Sequence, residues 1–223
     1  SARSEDQLRQ VAAEVEGYGR RAVVVPADAN DVDALASLVT AAVDELGGVD
    51  IVVNNAGGTA PRPFLDTSPG YFERAFHFNV TTAFALTKAA VPAMLERGGG
   101  AVVNISSAMG RMADRGMVAY GTAKAGMAHL TRLAAADLAP RIRVNGIAVG
   151  SVATSALEIV LTDDDLRGQM EGLTPLKRLG EVEDIAAACL WLASPAGSFV
   201  TGKIVEVDGG LQAPNLPLGL PDL

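Results

Sequence analysis

Two rhythms of apolar residues run along this chain. Short apolar runs, such as Ile51-Val52-Val53 and Ala101-Val102-Val103, predict strands over 21–26, 49–53, 101–105, 141–147 and 203–207. Between them lie longer stretches with helical spacing. Leu35, Leu38, Val39 and Ala42 share one face of a helix expected over 31–46, closed by Gly47-Gly48. Further helices are expected over 4–16, 69–96, 118–138, 155–171 and 182–192, that over 69–96 continuing through Pro92. Regular alternation of strand and helix predicts a parallel sheet covered on both faces.

Composition narrows this picture. The 223 residues suit one α/β domain with a full core, and 49% hydrophobic against 4% aromatic residues means a core of Ala and Val. A net charge of −8 argues against a nucleic-acid-binding surface. The single cysteine, Cys189, excludes an internal disulfide and falls in an Ala-rich helix, where it reads as a small apolar residue. His77 and His129 have no metal-ligand spacing, so no metal site is expected. No apolar run reaches the roughly 18 residues of a membrane span, and the expected location is the cytoplasm.

Chemistry concentrates in the segment from Asn104 to Gly126, which holds Ser107, Tyr120 and Lys124. Tyr120 and Lys124 are four apart and share a helix face. A phenol beside an ammonium is expected to have its pKa lowered from about 10 toward the range of a general acid/base. Ser107, at the end of a strand, can hydrogen-bond the same reacting oxygen. Its neighbour Ser106 points to the opposite face.

This segment resembles the active site of the short-chain dehydrogenase/reductase family, in which a Ser precedes the Tyr of YxxxK by thirteen residues. Asn54-Asn55-Ala56-Gly57 resembles the family's NNAG, and Asn79 in FNVTTAF matches the Asn of its catalytic tetrad. Asn145 to Gly150 followed by Ser151 to Thr154 resembles NxIxPGxxxT, with Val149 in place of Pro, which predicts a less rigid turn and a more mobile lid. Asp208-Gly209-Gly210 matches the terminal DGG. The resemblance implies an α/β fold of Rossmann-like, doubly wound, three-layer type. It also implies a strand–helix–strand unit of about 35–40 residues with a Gly-rich phosphate turn ahead of position 1. That N-terminal unit is not among these residues, and a longer natural chain and a true fragment both stay open.

The resemblance further implies hydride transfer between a carbonyl or secondary alcohol and a nicotinamide cofactor, with Asn79, Ser107, Tyr120 and Lys124 as the catalytic set. Asn79 would bind a water that relays protons to Lys124, or cap a helix kink. The cofactor would meet Arg3, Asp28, Ala29, Asn54, Ala56, Gly57, Tyr120, Lys124, Val152 and Thr154. Asp28 would bond the adenine amino group or serve as a helix N-cap. Gly57 would let the backbone approach the adenine ribose. Thr154 would bind the nicotinamide carboxamide, cap the lid helix, or both. Ala2 stands at the position where an acidic residue selects NAD, and Arg3 follows, which favours NADP over NAD. A lid is expected over 155–180, where Leu157, Ile159, Val160, Leu161 and Met170 either line an apolar substrate pocket or pack the lid down. The first option suggests a bulky secondary alcohol or ketone. Arg111 and Arg115 are expected in a solvated loop, and the tail 212–223 over a surface or a partner subunit. Family members associate through long helices, so a homo-oligomer, dimer or tetramer, is expected. The alternative is a non-catalytic assembly form that binds no nucleotide.

Overall fold

Parallel strands need both faces buried, and the sequence supplies side chains of the right kind on each. The structure, a computed structural model, describes residues 1–154, 157–216 and 219. Its sheet has four parallel strands in the order β1 (Ile51–Asn54), β2 (Gly100–Ser107), β3 (Ile142–Val149) and β4 (Ile204–Val207). Register runs from Ile51 opposite Ala101, through Val103 opposite Asn145, to Val149 opposite Val207.

The helices are α1 (Glu5–Gly17), α2 (Val32–Leu46), α3 (Pro69–Phe76), α4 (Thr82–Glu96), α5 (Val118–Leu138), α6 (Glu158–Leu161), α7 (Asp164–Leu173) and α8 (Val182–Ala193). Local chemistry sets several ends. The Asp31 carboxylate accepts from the Asp33 and Ala34 amides to start α2, and Gly47 at φ 89° closes it. Ser68 caps α3, Asp163 caps α7, and Glu181 with Asp184 forms a capping box on α8.

Side chains alternate across the sheet as the two-residue period requires. Val52, Val102, Val144 and Ile142 pack with Ala90, Met94 and Ala135 of α4 and α5. Val103 and Ile147 pack on the other side with Leu192 of α8. Helix α8 contacts β2, β3 and β4 but not β1 to the same extent, so Ile51 and Val53 stay 50% and 43% exposed.

Three expectations change. The stretch 21–26 forms no strand, because no described strand lies alongside it to complete a ladder. A backbone bond from Ala27 N to Ala2 O marks where it meets the start of the chain. The helix expected over 69–96 contains a π-helical turn, His77–Thr81, between α3 and α4. The lid helix is two short helices, α6 and α7. Val160, Met170 and Leu179 form a small core of their own, with Leu157, Leu161, Leu166 and Leu216 packed on it. Met170 is fully buried there, so packing accounts for the four described side chains, and of these Leu157 also lines a cleft. Residues 155–156, the Ile159 side chain and most of the tail beyond 216 lie outside the described residues.

Candidate active site

Strand β2 delivers its last residues to two different faces. Ser106 turns toward α5, where its buried hydroxyl donates to the Lys124 carbonyl at 3.1 Å. Ser107 turns the other way. It accepts from the Met109 amide at 3.2 Å, starting a 3₁₀ turn over Ala108–Gly110, and hydrogen-bonds the Tyr120 phenol. Helix α5 carries Tyr120 and Lys124 one turn apart, with Lys124 Nζ 5.7 Å from the centre of the Tyr120 ring.

The electrostatics differ from the expected pair. Burial raises the Tyr120 pKa above its ordinary 10.0, and the Ser107 hydrogen bond offsets only part of that. The Lys124 ammonium does not bond the phenol. It donates to the Ile105 carbonyl at 3.0 Å, is 4% exposed, and burial pushes its pKa down to about 8.

Asn79 sits in the π turn, fully buried. Its Nδ2 donates to the carbonyls of Ala75 at 2.8 Å and Gly58 at 3.2 Å and to Thr59 Oγ1 at 3.1 Å, while its Oδ1 accepts from the Gly58 amide at 2.8 Å. The side chain thus locks the loop that follows Gly57. A Cβ on Gly57 would fall 2.8 Å from Asn79 Oδ1 and 2.9 Å from Lys124 Nζ. The glycine is required by these two side chains, a closer constraint than the ribose approach expected from sequence.

Asn54 is 5% exposed and turns into the sheet–helix layer. Its Nδ2 donates to Thr87 Oγ1 at 3.0 Å and to Asn104 Oδ1 at 2.7 Å, and Asn104 Nδ2 donates to Thr131 Oγ1 at 2.9 Å. This chain of amides ties β1, β2, α4 and α5 together, so the Asn54 side chain serves the scaffold. A polar residue inside the run 101–105 was the available signal for Asn104.

Around the outer end of β1, a cavity of about 360 Å³ is lined by Arg3, Asp28, Ala29, Asn54, Asn55 and Ala56 among others. Asp28 is not a helix cap. Its carboxylate accepts from the Asn30 backbone at 2.9 Å and side chain at 3.0 Å, which with nearby Arg3 holds its pKa below the usual carboxylate value. His77 Nε2 lies 3.1 Å from the Asn30 carbonyl of the same turn. A second cavity, about 560 Å³, is lined by Tyr120, Ser151, Val152, Thr154, Leu157 and Cys189 among others. The Thr154 carbonyl accepts from the Leu157 amide at 2.8 Å.

Arg111 is exposed, yet its charge is paired. Its guanidinium pairs with Glu206 at 2.9 Å and Asp208 at 2.8 Å and bonds the Leu211 carbonyl. The turn at Gly150, expected to be loose, is held by packing: a Cβ there would fall 2.5 Å from Asp208 Cα, and the Gly150 amide donates to Val207 O. Among the described residues no cluster of His, Cys, Asp or Glu could hold a metal ion, and no helix is long and apolar enough to cross a membrane.

Comparison with known proteins places the chain in a family. A family model described as enoyl-(acyl carrier protein) reductase matches residues 1–212. An uncharacterized oxidoreductase of Mycobacterium tuberculosis is 58% identical over 224 residues, all of this chain and 85% of the relative. The 7α-hydroxysteroid dehydrogenase of Escherichia coli K12 is 40% identical over 206 residues, 92% of this chain and 80% of the relative. The solved structure of a 7α-hydroxysteroid dehydrogenase complexed with NADH and 7-oxo glycochenodeoxycholic acid superposes with a TM-score of 0.89 at 39% identity, covering 95% of this chain and 83% of that one. A short-chain type dehydrogenase/reductase from Mycobacterium ulcerans gives 0.90 at 33% identity over 98% and 82%. With its parallel α/β sheet and a match spanning residues 1–212, this chain belongs to the short-chain dehydrogenase/reductase family of oxidoreductases.

Proposed function

We propose that this protein interconverts a carbonyl and a secondary alcohol, with Tyr120 as the general acid/base. The observation that carries the proposal is one linked set of side chains: Ser107 bonds the Tyr120 phenol, Lys124 lies 5.7 Å from the Tyr120 ring, and Lys124 meets Asn79 at Gly57. Nothing in the packing of α5 requires a buried ammonium there, and burying one carries a desolvation cost.

The residues present suit a nicotinamide cofactor. Gly57 leaves no side chain where the loop meets Asn79 and Lys124, one cavity opens beside Arg3, Asp28 and Ala29, and another beside Tyr120, Val152 and Thr154. When bound, such a cofactor supplies or accepts the hydride. The neutral phenol of Tyr120 gives its proton to the carbonyl oxygen in reduction and takes one from the alcohol in the reverse direction. Ser107 holds that oxygen, its hydroxyl already bonded to the phenol. Lys124, charged below about pH 8, lowers the cost of the phenolate left behind. Asn79 acts as a positioning residue, fixing Gly58 and Thr59 so that Gly57 stays against Lys124.

Arg3 is the residue proposed to favour NADPH, by facing a ribose 2′-phosphate. The relative solved with NADH makes the comparison of both coenzymes the informative one. A bulky apolar secondary alcohol is the favoured substrate class. The kinship to 7α-hydroxysteroid dehydrogenases supports it, as does a cavity of about 650 Å³ lined by Phe64, Met109, Met112 and Met117 beside the turn after Ser107. Exposed Phe84 on α4 and Leu133 on α5 support association of copies.

The test is Tyr120→Phe in the full-length protein, assayed by oxidation of NADPH and of NADH with a panel of steroid and cyclic ketones. The expected loss is 100-fold or more, about 2.7 kcal/mol of barrier. Retention of carbonyl reduction within tenfold of wild type sinks the assignment. A full-length protein that binds neither coenzyme would instead favour an assembly role.

A further inference from the structure

Asn215 lies in the tail, a segment expected to pack over a surface or a partner subunit, and every polar atom of its side chain is engaged. The residue is 4% exposed. Its Oδ1 accepts from Ser151 Oγ at 2.7 Å. Its Nδ2 donates to Thr174 Oγ1 at 2.9 Å and to the Met170 carbonyl at 3.3 Å. Thr174 Oγ1 itself donates to the same carbonyl at 2.8 Å.

These partners belong to two different walls. Ser151 lines the cavity that also holds Tyr120, Val152 and Thr154. Met170 and Thr174 form the end of α7. Among the described elements, α6 and α7 pack chiefly on each other. The attachments of this pair to the rest of the chain are therefore few. One is the Val152–Gly180 bridge, and another is the Leu176 amide donating to Gly209 O at 3.1 Å. The tail adds another, because Leu216 packs on the Val160–Met170–Leu179 core one residue beyond Asn215. A buried amide would cost free energy unless satisfied, so its acceptor toward Ser151 and its donors toward α7 define one seated arrangement.

We propose that Asn215 is a latch that seats the α6–α7 pair against the Ser151–Thr154 wall of the cleft, a positioning residue for the reaction proposed above, on whose reading its catalytic part rests. Substrate and the reacting groups then meet between a wall and a lid that this tail side chain helps to hold in place. Breaking the latch frees α6–α7 as a unit and leaves the sheet intact.

Hydrogen exchange of the full chain, read by peptide mass, tests this without substrate. Asn215→Ala removes the bridge, and Asn215→Asp keeps its shape but sets a carboxylate oxygen against the Met170 carbonyl. Both are expected to speed exchange over residues 158–174 by roughly tenfold or more, with β2 and β3 unchanged. Thr174→Val should do the same, and Thr174→Ser, which keeps the hydroxyl, should retain wild-type protection. With a ketone the wild type reduces, Asn215→Asp should raise KM several-fold and leave kcat nearly unchanged. Unchanged exchange over 158–174, equal acceleration in β2 and β3, or faster exchange without a change in KM would each overturn the proposal. The exchange result stands apart from the Tyr120→Phe assay, so failure of the latch and failure of the reaction are told apart.

Discussion

Gly57→Ala places one methyl group where the site is tightest. The new Cβ would lie 2.8 Å from Asn79 Oδ1 and 2.9 Å from Lys124 Nζ. Ordinary contacts begin near 3.5 Å, so both neighbours must retreat by about 0.6–0.7 Å. Asn79 has little freedom to do so, being fully buried with four hydrogen bonds. Lys124 must give way instead, stretching its bond to Ile105 O. Overpacking of this kind costs about 1–3 kcal/mol, and a weakened bond from a charged donor adds about 1 kcal/mol. The expected destabilisation is about 3 kcal/mol, a fall of roughly 6–12 °C in Tm for a domain of this size. Misplacing Lys124 under Tyr120 should cost roughly 10–100-fold in rate, since an ångström of misplacement is worth about 100-fold. Thermal unfolding by circular dichroism and the ketone-reduction assay read the two effects. Gly58→Ala is the control: its φ of 137° makes any side chain strained, but a Cβ there has nothing within 4 Å. It should lower Tm by stored backbone strain without displacing Lys124. If Gly57→Ala keeps the wild-type Tm and rate, the crowding argument is wrong.

Two further predictions concern charge. Lys124 gives up its proton near pH 8 in the folded state and near 10.5 when unfolded, so its burial penalty, on the order of 3 kcal/mol, is fully present below pH 8. Between pH 8 and 10.5 the unfolded chain holds more protons, and this contribution to stability rises with pH. The difference between wild type and Lys124→Met in chemical denaturation should therefore change across that window, and a pH-independent difference would refute the assignment. Arg111→Met strips the guanidinium from Asp208, whose side chain is 6% exposed. The expected cost is about 2–4 kcal/mol, less than for a fully buried pair because the Arg111 side chain is 32% exposed, and an unshifted denaturation midpoint would contradict it.

Much of this molecule was legible in its sequence, and the reasons are local. Helices α2, α5 and α8 follow from apolar spacing and end signals such as Asp31 and Gly47, which act within one or two turns. The split of Ser106 and Ser107 between two faces follows from the strand period alone. The Tyr120–Lys124 spacing places both side chains on one face of α5 whatever else the fold does.

The sequence by itself determined the parallel α/β architecture and singled out the candidate reacting groups, because periodicity and four-residue spacing are properties of a short stretch. Tertiary structure decided what those groups experience. Whether Lys124 bonds the phenol or the Ile105 carbonyl depends on where β2 lies against α5. That Asn54 both lines the cavity at β1 and bonds Asn104 depends on strand register, and whether 21–26 becomes a strand depends on a neighbour to pair with. The π turn arises where Asn79 meets Gly58, 21 residues away, and the Asn215 bridge spans 64 residues to Ser151. Contacts of that range leave no periodic trace, since each partner is chosen by packing in three dimensions rather than by its neighbours along the chain.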